Sequence, residues 1–136
     1  MTAFLPVQQA VYDLLTSDTA LMGLVTGGVH DGPPENAMYP WIDIGEAIET
    51  PSGTHDTRGR ETVITLHTWT RHRGHAPGLA IARRIDDLLD HRPLVVAGHH
   101  HISTTYEFAQ TLRDPTPPGD IRHHVARYRV TTEQGG

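Results

Sequence analysis

Three consecutive histidines, His99-His100-His101, follow an apolar run, and a second pair, His123-His124, comes late in the chain. Imidazole is a common ligand for zinc, copper, nickel and iron. In a strand, residues i and i+2 point to one side, so His99 and His101 would share a face. His123, on a neighbouring strand, could complete a set with them. The plainer reading is a group of solvent-facing residues, because His occurs 11 times in these 136 residues. No H-E-x-x-H, no helical H-x-x-x-H and no clear third carboxylate ligand accompanies the triplet. His99, His101 and His123 are thus the metal candidates, and the surface reading is preferred over them. No cofactor is expected.

Other chemistries find less support. There are no cysteines, which removes thiolate zinc sites, redox motifs and cysteine nucleophiles. All 11 basic residues are Arg, so lysine Schiff-base or P-loop chemistry is excluded. Ser17, Ser52 and Ser103 are the serines, and none lies in a G-x-S-x-G elbow. Asp86, Asp87 and Asp90 sit on the wet side of a helix, with Arg83 three residues before Asp86. That spacing gives ordinary intrahelical pairing. Trp41, Trp69, Tyr106, Phe108 and Tyr128 could stack nucleic-acid bases beside Arg127 and Arg129, but their strand spacing favours core packing. No catalytic residue is assigned, and the chain is not expected to be an enzyme.

The elements that would position these side chains are legible. "FLPVQQAVYDLLT" places Phe4, Val7, Ala10, Val11, Leu14 and Leu15 at helical spacing, with Thr2 as the N-cap. Asp18 caps a short second helix that Gly27-Gly28 stops. Val29-His30 forms a brief edge strand. Residues 41–50 alternate, with Ile42, Ile44 and Ile48 on one face and Asp43 and Glu49 on the other. Residues 61–70 put Ile64 and Leu66 opposite Val63 and Trp69. The helix in "GHAPGLAIARRIDDLLDHRP" carries a stripe of Leu79, Ala82, Ile85, Leu88 and Leu89. "LVVAG" reads as a short strand, and residues 100–112 and 121–132 give two more.

This order predicts an α+β fold, an antiparallel four- to five-stranded sheet with two main helices packed on one face. Residues 1–136 form one domain, with 1–4 and 133–136 frayed and 51–60 a long mobile loop. No stretch approaches the roughly 20 apolar residues of a membrane span. The start lacks the pattern of a signal peptide, so the protein is expected to remain in the cytoplasm. The formal net charge is -5. Scattered arginines in such a chain predict no tight grip on DNA.

The segments "VQQAVYDLLTSDTALMGLV", "GGVHDGPPENAMYPWIDIGEA", "RGRETVITLHTWTRHRG", "AIARRIDDLLDHRPL" and "HHVARYRVTTE" follow one another in the order and spacing of a known family. Over residues 5–133 the chain resembles the tail terminator (tail completion) proteins of tailed bacteriophages. The histidines are not part of that pattern. The resemblance implies a structural, non-catalytic protein whose subunits form a hexameric ring. The ring would cap the tail tube, end its polymerisation and offer a surface to the head–tail connector. DNA would be only passing cargo. The protein would assemble in the host cytoplasm and end in the virion tail, at its neck. A role as a neck connector is the alternative, and a His-rich metal-binding module or metal-dependent enzyme is the alternative of another class. A heterologous ring needs two different lateral patches. Thr54, His55, Asp56, Arg58 and Arg60 are the candidate docking residues, against the plain reading of an ordinary surface loop.

Overall fold

Helix α1, Phe4–Ser17, buries Val7, Ala10, Val11 and Leu15, the stripe expected from the spacing. The N-cap is Ala3 rather than Thr2. Ala3 is fully buried and its N–H donates to Glu49 Oε1 at 2.6 Å, so the chain is packed from Ala3 onward. Asp18 ends α1 and caps α2, Thr19–Leu24, accepting from the Leu21 N–H at 2.8 Å. These coordinates are a computed structural model that describes residues 2–32, 34–52 and 58–135.

Five strands follow: β1 Val29–His30, β2 Trp41–Pro51, β3 Gly59–Arg71, β4 His99–Arg113 and β5 Ile121–Gln134, with α3, Ala76–Leu89, between β3 and β4. They form one sheet in the order β1-β2-β3-β5-β4. The α+β class stands as expected. The sheet, however, is mixed: β1 runs parallel to β2, while the other pairs are antiparallel. Residues 31–40 carry the chain back to the end where β1 began, so both strands run the same way. Antiparallel neighbours can use a tight turn; a parallel pair needs such a return.

The helices pack on one face. Ile42, Ile44, Ile64, Leu66, Tyr128 and Val130 meet Val7, Val11, Leu15, Leu21, Ile81, Ile85 and Leu89 in a single cluster. The stripe of α3 is Gly78, Ile81, Ile85 and Leu89; Leu79, expected inside, is 48% exposed. It lies two residues from Ile81, hence on the other side of the helix. The Tyr128 hydroxyl donates to Asp86 Oδ1 at 2.8 Å, tying the sheet to α3, and burial raises its phenol far above the usual range. Arg84 of α3 holds Asp18 in a fork, 2.8 Å from Nε and 2.6 Å from Nη2.

Other expectations are corrected. "LVVAG" is no strand. Leu94 and Val96 are buried while Val95 is 90% exposed, but the stretch pairs with no other strand. Strand β5 continues to Gln134, whose N–H donates to Arg58 O at 3.0 Å, and β2 and β3 reach Pro51 and Gly59. The expected loop 51–60 therefore loses Pro51, Gly59 and Arg60 to strands, and the Ser52 N–H donates to Gly59 O at 3.0 Å. Thr54, His55 and Asp56 lie outside the described residues.

Candidate assembly surface on the open sheet face

The second face of the sheet is built by a bulge. Ile44 pairs with Leu66 but Ala47 pairs with Ile64, so Gly45 and Glu46 together oppose Thr65. One extra residue reverses the facing of everything after it. Ile48, expected with Ile42 and Ile44, is thrown outward and is 64% exposed. Glu49 turns inward to Ala3. Gly45 is required here: a Cβ would lie 2.6 Å from His67 Cδ2.

Register then brings open-face residues into rows. Trp41 pairs with Trp69, Trp69 with His123, and His123 with Leu112. Trp41 and Trp69 stack with centroids 5.8 Å apart, and Trp69 and His123 at 3.9 Å with planes 10° apart. The expectation that these tryptophans are core is overturned. Of the five aromatics read as packing, Tyr128 alone is buried. Because the rings stack on one another, their faces are occupied, which is the wrong presentation for nucleic-acid bases.

Beside this ladder, His67 bridges two partners. Its Nε2 is 2.8 Å from Glu46 Oε1 and its Nδ1 is 2.7 Å from His123 Nε2. His67 holds the Glu46 carboxyl below its ordinary value, so Glu46 is ionised and can only accept. His67 Nε2–H donates to it, and Nδ1 of His67 shares a single proton with Nε2 of His123. Burial first, then the neighbouring imidazoles of His67 and His124, lower His123 to about 4.

Farther along, a cleft of about 380 Å³ opens between Ile48 and Phe108, over Val63 and Thr65. Arg127 lies over the Phe108 ring at 5.1 Å. Arg129 is neutralised by Glu61 at 3.0 Å and Glu107 at 2.6 Å.

The metal candidates do not meet. His99 pairs with Gln134 and His101 with Thr132, whereas His123 pairs with Leu112 at the other end of β5. Nine to eleven residues of strand amount to roughly 30 Å or more. His101 Nε2 is instead 2.7 Å from Thr104 Oγ1. Among the described residues, no group of three or more His, Cys, Asp or Glu side chains is arranged to hold a metal ion. Arg58 approaches Glu133 at 3.9 Å, and Arg60 donates to Gly59 O at 2.9 Å, both at the start of β3. Part of the open face was legible in the sequence, since Val63 and Trp69 lie opposite Ile64 and Leu66 along β3. The hidden part was the bulge, for which a glycine inside a strand is the available signal.

The profile of the family described as tail completion protein gp17 matches residues 9–133. The chain belongs to this family. A curated relative, tail completion protein gp17 of Bacillus phage SPP1, is 27% identical over 128 residues, covering 92% of this chain and 90% of that protein. The solved structure of bacteriophage SPP1 gp17 is 27% identical, with a TM-score of 0.64 over 95% of this chain and 91% of that one. A chain of the virion of a native gene transfer agent particle superposes with a TM-score of 0.82. It covers 93% of both chains at 23% identity and shows the shared fold. The chain is thus a phage-type tail completion protein, and membership in this structural family argues against an enzyme.

Proposed function

We propose that this protein caps the finished tail tube as a hexameric ring, ends tube polymerisation and presents the surface that joins tail to head. The observation that carries this reading is the family match from residue 9 to residue 133. Its partners are copies of itself, the tail tube protein and the head–tail connector protein, with DNA as passing cargo. It assembles in the host cytoplasm and remains at the neck end of the tail.

Residues 54–56, with Arg58 and Arg60, are the proposed docking segment. Arg58 and Arg60 stand at the root of that segment, where β3 meets the end of β5. A negatively charged chain suits a conduit through which DNA must slide.

Electron microscopy of particles made without this gene tests the role. Tails of unregulated length, without attached heads, are expected; normal tails joined to heads would refute it. Replacing residues 53–57 with Asn-Gly should keep the melting temperature within a few degrees and lower the yield of joined particles. Unchanged yield would remove the segment from the joining surface.

A further inference from the structure

The sheet has two free edges, and they differ. On β2, strand β1 covers only Ile42 and Asp43. Among the described residues, no backbone group lies hydrogen-bonded outside residues 47–50. On β4, the outer edge is covered at Thr104, whose carbonyl accepts from the His91 N–H at 2.8 Å, and at Tyr106, whose N–H donates to Asp90 Oδ1 at 2.8 Å. Beyond the bulge at Glu107, residues 108–113 again have no outer backbone partner among the described residues. Each free stretch begins just after a bulge, is regular in register and contains no proline before Pro51. Proteins usually blunt such edges with charge, proline or a covering segment.

We infer that β4 of one copy pairs with β2 of the next, so that the sheet runs on from subunit to subunit around the ring. The inference rests on the ring reading above and names the contact that closes it. Strand direction supports it. From β2 through β3 and β5 to β4 every pairing is antiparallel, so β4 runs opposite to β2. Rotation about an axis lying along the strands preserves direction. The joint β4–β2 is then antiparallel, like its neighbours on both sides. Two unlike edges are both satisfied only by head-to-tail pairing; a twofold union of two β4 edges would leave β2 open. Side chains agree with this as well. Ile48 of β2 and Phe108 and Leu112 of β4 all lie on the open face and are 64%, 39% and 39% exposed. The joint would set Ile48 of one copy against that row of the next, burying apolar surface that one copy leaves wet.

The absence of cysteine from the chain gives a clean test by crosslinking. Ile48→Cys is combined in turn with Phe108→Cys, Gln110→Cys or Leu112→Cys, and each protein is oxidised both in solution and in purified particles. Within one copy, β2 and β4 are separated by β3 and β5, roughly 14 Å, too far for a disulfide. At least one pair should give a denaturing-gel ladder that extends beyond dimer to six linked chains and collapses on reduction. A hexameric mass with no crosslink from any pair would overturn the edge joint and leave the ring reading standing. Dimers alone, or crosslinks from a β4 cysteine without Ile48→Cys, would show a twofold union and overturn it too. A one-chain mass in solution together with a single copy per particle would sink the ring reading itself, and the joint with it.

Discussion

Gly45 decides where His67 stands. Any Cβ at this position meets the imidazole at 2.6 to 2.7 Å, and that ring is held from two other sides by Glu46 and His123. Gly45→Ala should therefore displace His67 and lower stability by about 1–3 kcal/mol, the usual cost of overpacking. Urea unfolding followed by tryptophan fluorescence would read it, because Trp69 stacks on His123. The same cluster sets a pH dependence. His123 stays neutral in the fold until about 4, against an ordinary value of 6.5. Between those values the unfolded chain takes up the proton first, so stability falls as pH drops below 6.5 and levels off below about 4. His101 and His124, lowered mainly by burial, act in the same direction. His123→Phe should keep the stack and remove part of this slope in thermal melts between pH 7.5 and 4. An unchanged slope would place the effect on the other two.

At the scale of elements, two polar ties bind helices to the rest. Asp18 caps α2 and receives the Arg84 fork from α3, and that guanidinium lowers its carboxyl to about 2. Its stabilisation is complete above the ordinary 3.8 and is lost as pH falls toward 2. Asp18→Ala is expected to cost about 1–2 kcal/mol, chiefly the lost cap. Hydrogen exchange should show α2 opening before α1. Tyr128→Phe removes the bond to Asp86 and should cost about 1 kcal/mol by denaturant melts, since Asp86 can still turn to water. Elements were also where local patterning met its limit. Alternation in 41–50 predicted a strand correctly, but Ile48 was assigned to the wrong face because one bulge changes the parity. In "LVVAG" the alternation was real, with Leu94 and Val96 inside, yet no neighbouring strand was there to pair with it.

For the molecule as a whole, helices cover one side of the sheet and leave the other to stacked aromatics, a histidine relay and an apolar cleft. A sheet face of that kind, beside two free edges, is what a subunit of a larger assembly would present. Dilution provides a check at this scale: analytical ultracentrifugation should show a ring, or a monomer–hexamer equilibrium that shifts with concentration. The α+β class, the α1 stripe, the Asp18 cap and the family were all determined by the chain's own order of residues, because periodicity and capping act between near neighbours. Only the tertiary structure decided that His123 sits against Trp69 and His67 rather than near His99 and His101. It alone turned Ile48 outward and set β1 parallel to β2. Those facts depend on register between strands far apart in sequence, and a single bulged residue, which no local pattern counts, shifts that register.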